Sequence, residues 1–287
     1  MFTTTDKDGK NNNIWIDKEL FYDIDESNVD TEEQHFMVLA MIGLIMVARG
    51  ETYIFTTPEI ILATMCNDEE PKLKPKVVKG FISGLNKLNE IELITINKEV
   101  TKVGQMIKVD TSKLTHDGEC SFFQISKEEV EVAMQSSTPQ HILTLFSDMA
   151  SRWNMSSYKA YEEEGWDYDK RYEYDGGFKL YKYLSCYPTL DELTTTWCSR
   201  PNEVGEVGFN CIERSAKWKV SDKALRMYVE EMVDLGLISK ITKNMNMKNR
   251  NYYCRPQHYN CVCEVLDILD EQKAYMNEKG GDNNAGK

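Results

Sequence analysis

Residues Ser221–Thr242, SDKALRMYVEEMVDLGLISKIT, decide the fold. Leu225, Tyr228, Val229 and Met232 recur at three- and four-residue steps, the spacing of a helix with one apolar face. Ser221 stands where an N-cap belongs, and Gly236 follows the last periodic turn, where a left-handed stop is expected. Leu237 and Ile238 then open a β-branched strand that runs to Thr242. A helix that ends in Leu-Gly-Leu-Ile and passes directly into a strand is the unit from which the rest is read. The chain carries it twice.

The bulk properties bound the answer. At 287 residues the chain is long enough for two domains with their own cores. The apolar run Phe36–Ala48 is 13 residues, short of the roughly 20 that span a bilayer, so it reads as a buried helix and no membrane is expected. The first residues are polar, without a signal peptide, and the eight cysteines have no secretory context. Reduced thiols in a cytoplasm are therefore expected. A net charge of −13 argues against nucleic acid, and that objection has to be met locally.

Taken in order, 1–13 read as a disordered leader and Ile14–Ile24 as a strand or extended arm. Thr31 with Gln34 forms a capping-box pattern and starts a helix through Ala48, ended by Gly50. Tyr53–Thr56 is a short strand. Thr57-Pro58 is an N-cap followed by proline at the first helical position, opening a helix to about Met65. Lys72-Leu-Lys-Pro-Lys leads into a third helix, to about Leu88, with Val77, Val78, Phe81, Ile82, Leu85 and Leu88 on its buried face. Strands Ile91–Ile96 and Gln105–Val109 close the series. Helix, strand, helix, helix and hairpin is the winged-helix order.

The second half repeats it. Thr138-Pro139 opens a helix through Trp153, and its Gln140-His141-Ile142-Leu143 parallels Gln34-His35-Phe36-Met37. Thr189 with Glu192 matches the cap at Thr57, and Leu225–Ile238 matches Phe81–Ile94. Gln34 to Gln140 is 106 positions, Thr57 to Thr189 is 132, and Ile94 to Ile238 is 144. The offsets only grow, and the added residues fall where loops belong. Fixed element order with rising offsets is what tandem copies give.

The expected fold class is therefore α+β, mainly α with small β wings: two tandem winged helix-turn-helix domains. The first spans 14–125 and the second 126–260, the latter with an acidic insertion at 155–177; a C-terminal helix and tail take 261–287. Over most of Ile14–Tyr259 this arrangement resembles replication initiators and replisome organisers of Gram-positive plasmids and phages. The resemblance implies that the third helix of each copy enters the major groove and the wing lies over the adjacent backbone. The acidic overall charge departs from that pattern.

Local charge answers the objection. From Pro71 to Val109 eight lysines face three glutamates, a net +5; from Arg200 to Pro256 eleven basic residues face seven acidic ones, a net +4. The remainder then carries −22. Lys72, Lys74, Lys76 and Lys79 crowd the start of the first copy's third helix, and Lys217, Lys219, Lys223 and Arg226 that of the second. Cations there oppose the helix dipole by about 0.3–1 kcal/mol each at low salt, so the placement points to a use, since the start of a recognition helix meets phosphates and base edges. The competing reading is a solvated lysine face. Periodicity puts Lys76, Lys79, Ser83, Asn86 and Lys87 opposite the core stripe. Arg226 is the candidate for a guanine contact and Asn86 for adenine, with lysines on phosphates. In the wings, Lys98 and Lys102 of the first and Lys243, Lys248 and Arg250 of the second complete the candidate surface.

Two other constellations stand apart. Cys254, His258, Cys261 and Cys263 fall within ten residues and are the residues from which a zinc site would be built, but the spacing lacks paired two-residue knuckles, and small buried thiols explain it equally. No metal or cofactor is expected. The stretch 162–175, EEEGWDYDKRYEYD, has no histidine or phosphate-cradling glycine loop beside its carboxylates, so it reads as a protein-binding or shielding loop rather than a catalytic one. The C-terminal stripe Val262, Val265, Leu266 and Leu269 packs back on the second domain or forms a homodimer contact. The expected function is binding of double-stranded DNA without catalysis, in replication of a plasmid or phage. A transcriptional regulator of the same build, or an interaction scaffold with an acidic working face, are the alternatives.

Overall fold

Ile14 and Ile16 are two apart, whereas Phe21 and Ile24 are three apart. The computed structural model follows that change of period. It describes residues 13–114, 122–152, 218, 220–245, 248–256, 259 and 263. Strand β1 (Asn13–Asp17) gives way to helix α1 (Lys18–Glu26), because the Asp17 carboxylate caps the helix by accepting from the Glu19 N–H at 2.7 Å. The single extended arm expected over Ile14–Ile24 is thus corrected to a strand and a helix.

Helix α2 (Thr31–Ala48) is buried on all sides from Gln34 to Leu44. Its N-cap is Asp30, which accepts from the Glu32 N–H at 3.0 Å. The expected Thr31/Gln34 capping box does not form, since the Gln34 amide instead donates to the carbonyls of Asp25 and Ser27 at 2.9 and 3.1 Å. By length and composition α2 is able to cross a membrane, yet 72% of its apolar window is buried within the protein, as in a core helix. The left-handed stop falls on Arg49 and Gly50, at φ 48° and 88°.

Strand β2 (Tyr53–Thr56) and helix α3 (Pro58–Cys66) follow, with the Thr57 hydroxyl accepting from the Ile60 N–H at 3.2 Å as the cap signature predicts. Helix α4 (Pro75–Glu90) begins three residues later than Lys72, and its N-cap Lys74 supplies no side-chain cap. Val77, Phe81, Leu85 and Leu88 are buried as expected; Val78 and Ile82 are only half-buried. Gly80 and Gly84 of α4 lie against Phe36 of α2, Gly80 on the ring and Gly84 on the main-chain carbonyl. Only glycine allows that approach.

The strand expected over Ile91–Ile96 is reduced to β3 (Thr95–Ile96), because Glu92 turns left-handed at φ 61° and buries Leu93 and Ile94 in a turn. Strand β4 (Ile107–Asp110) pairs antiparallel with both β3 and β2, so the sheet order is β2-β4-β3. After a short 3₁₀ turn at Ser112–Leu114, strand β5 (Phe122–Ser126) pairs antiparallel with β1. Ser126 and Glu129 form a reciprocal capping box at the start of helix α5 (Lys127–Ala133). Helices α6 (Pro139–Arg152) and α7 (Asp222–Asp234) come next, then the hairpin β6 (Ser239–Met245) and β7 (Lys248–Cys254). The described residues therefore hold seven α-helices and three small sheets, an α+β fold.

The chain divides into two compact units, Met1–Ser151 with Ile212–Leu237, and Arg152–Cys211 with Ile238–Lys287. The division expected between residues 125 and 126 falls inside the first unit. Its core gathers α2, α6 (buried from Ile142 to Ser151) and the apolar face of α7, with Trp218 wholly buried against Phe21 and His35 at ring-centroid distances of 5.0 and 5.6 Å.

Candidate nucleic-acid interface

The start of α4 is built outward from Glu32, in the first turn of α2. One Glu32 carboxylate oxygen meets the Lys76 ammonium at 2.9 Å and accepts from the Gln140 amide at 3.4 Å. The other meets His141 Nε2 at 3.1 Å. The His141 ring stacks on Tyr228 of α7 with centroids 4.9 Å apart, and meets His35 edge to face at 4.4 Å. One carboxylate thus ties the first turns of α2, α4 and α6 together, with α7 stacked alongside. Nothing in the spacing of Glu32 announced this role.

Burial sets the electrostatics of this node. Desolvation, with the neighbouring His141 acting in the same direction, lowers the His35 pKa to about 3, so His35 is neutral. His141 is also lowered, first by burial, although Glu32 pulls the other way. Tyr228 is raised by burial and by the Glu32 and Glu231 carboxylates. Glu231 in turn accepts from the Ser136 hydroxyl at 2.6 Å, linking α7 to the approach to α6.

Around this node the candidate cations divide. Lys72, Lys74 and Lys79 are exposed, and Lys76 is 73% exposed despite its ion pair. Lys72 and Lys74 also line a cleft of about 500 Å³ that includes Cys66, Asp68, Glu131 and Met134. Burial pushes the Cys66 thiol up to about 11, so it stays protonated there. Lys223 and Arg226 are exposed on α7, next to Met227. Lys98 and Lys102 are exposed in the loop between β3 and β4. In the second hairpin Lys243 pairs directly with Arg250, and Lys248 with Met245.

Three candidates on α4 do not form the free face expected of them. Asn86 is a pin: its side chain accepts from the Val100 N–H and donates to the Val100 carbonyl, both at 2.9 Å, mimicking one rung of a sheet. The Ser83 hydroxyl donates to Glu33 of α2 at 3.3 Å, and Lys87 is held by Glu90 at 2.7 Å. All three are half-buried, because α4 is enclosed on two sides by α2 and by the loop at Val100.

Lys217, Lys219 and the acidic stretch 162–175 lie outside the described residues, as do Val262, Val265, Leu266 and Leu269 of the C-terminal stripe. Of the cysteine group, Cys254 is buried and Cys263 half-buried, while His258 and Cys261 lie outside the described residues. Among the described residues no three metal-binding side chains converge. Comparison with protein-family models, with curated protein sequences and with solved structures gives no match to this chain.

Proposed function

We propose that the chain binds double-stranded DNA through two winged helices and serves in replication initiation or organisation of a plasmid or phage. The observation that carries this reading is the start of α4, where Lys72, Lys74, Lys76 and Lys79 stand exposed on a helix that lacks a side-chain cap. Cations placed against the helix dipole, at the expense of capping, suit a partner that brings negative charge. The order α2-β2-α3-α4-β3-β4 with sheet order β2-β4-β3 supports a winged-helix layout for the first copy. The order α6, α7 and then the β6-β7 hairpin along the chain supports the same reading for the second copy.

Binding to a pool of random duplexes, followed by fluorescence anisotropy while salt is raised from about 50 to 200 mM, tests it. Four phosphate contacts predict a log–log slope of about −3.6, at roughly −0.9 per contact. Absence of duplex binding at about 50 mM salt overturns the reading and favours an interaction scaffold.

A further inference from the structure

The outer face of the β2-β4-β3 sheet carries large rings that the core does not use. In β2, Ile54 and Thr56 turn inward, while Tyr53 is 56% and Phe55 72% exposed. In β4, Ile107 and Val109 turn inward and Lys108 outward. Register sets Phe55 opposite Lys108 and Tyr53 opposite Asp110. The Lys108 ammonium lies over both rings, 5.1 Å from the Tyr53 centroid and 5.9 Å from that of Phe55. Asp110, opposite Tyr53 in the ladder, accepts from the Ser112 N–H at 3.0 Å. Met106, two residues before Lys108 and 56% exposed, extends the same face.

We propose that this face is a binding site for single-stranded nucleic acid, with Phe55 and Tyr53 as stacking platforms and Lys108 as the cation that meets the backbone. Exposed rings with an interleaved cation are the elements of such platforms. Spacing separates a single strand from a duplex. Residues two apart on a strand are about 6.6–6.8 Å apart, whereas duplex bases repeat every ~3.4 Å along each strand and keep their faces stacked on one another. Two platforms at the wider spacing take bases that have been pulled apart. Charge argues against an apolar protein partner, which would bury the Lys108 ammonium along with the rings at a desolvation cost. Lys98 and Lys102, exposed in the adjoining β3–β4 loop, add positive charge, against Glu99. Tyr53, Phe55 and Lys108 are distinct from the lysines at the start of α4, so loss of the rings leaves those duplex contacts in place and the two readings are tested separately.

The test compares fluorescein-labelled oligo(dT) with a duplex of equal length, at about 50 mM salt, on the full chain. Wild type binds the single strand. Phe55→Ala and Phe55→Leu each weaken that binding by about 5- to 150-fold, the range for losing one stacked base, and Phe55→Trp preserves it. Duplex binding is unchanged by all three. No single-strand binding by wild type, full affinity in Phe55→Leu, or equal losses on both ligands would overturn the proposal. So would a change of sedimentation coefficient in Phe55→Ala, which assigns the face to a second copy of the chain.

Discussion

The imidazoles of His35 and His141 meet edge to face, centroids 4.4 Å apart, and each follows a glutamine at the start of its own buried helix. Residues matched by the internal repeat are thus brought into contact at the centre of the first unit. Both rings are held neutral by burial, and each leaves its Nδ1 without a hydrogen-bond partner.

Acid should therefore destabilise the first unit. The unfolded chain takes up a proton at His35 near pH 6.5, but the folded chain refuses it until about pH 3. Stability is complete above the upper value and falls as pH drops through this window. Urea denaturation should lose on the order of 2 kcal/mol from His35 alone between about pH 7 and pH 5. His35→Phe, which keeps a ring against Trp218, should flatten that dependence; an equal pH slope in the variant counts against it.

The approach of α4 to α2 should tolerate no side chain at Gly84. Alanine there presses its Cβ into the Phe36 carbonyl, a main-chain atom that cannot swing away. Overpacking of this kind costs about 1–3 kcal/mol, against about 1 kcal/mol gained in helix propensity. Gly80→Ala meets only the Phe36 ring, so Phe36→Leu should rescue Gly80→Ala and fail to rescue Gly84→Ala. Thermal melts of the double mutants decide it.

Asn86→Ala should loosen the β3–β4 loop by removing both bonds to Val100. The expected loss is about 1–3 kcal/mol, since two half-buried backbone groups lose their partner. Amide exchange at Val100 should accelerate in the variant, while duplex affinity changes little, because Asn86 is a support and not a base reader.

Lys79→Ala should lower the magnitude of the salt slope of duplex binding by about 0.9, the signature of one lost phosphate contact. Lys87→Ala, which removes a side chain already held by Glu90, should leave the slope where it was. Anisotropy titrations at three salt concentrations separate the two.

What the chain disclosed in advance follows the range of the interactions concerned. Thr57-Pro58 and Ser221 were readable as caps because a cap is completed within three residues. Asp17 was not, since the apolar residues on either side hid the change of period, and Asp30 took the cap that Thr31 had suggested. The lysines at the start of α4 were legible as exposed charge. Asn86 was not legible as a pin, because its partner lies 14 residues further on. Glu32 was less so, its partners being 44, 108 and 109 positions away at Lys76, Gln140 and His141. In the sequence the outer rings of β2 read as ordinary strand residues; only their exposure and the cation above them mark a site.

The first unit is assembled from two separated pieces of chain, and this has a consequence during synthesis. Met1–Ser151 leaves the ribosome first, but Trp218 and α7, which complete its interior, come only after the 60 residues Arg152–Cys211. At about 5–20 residues per second that interval lasts roughly 3–12 s. Throughout it the nascent chain presents the bed of Trp218, lined by Phe21 and His35, to whatever is nearby. Folding of this unit is thus bound to wait for translation, and slow codons after residue 151 should lengthen the interval in which the emerging polypeptide aggregates or engages a chaperone.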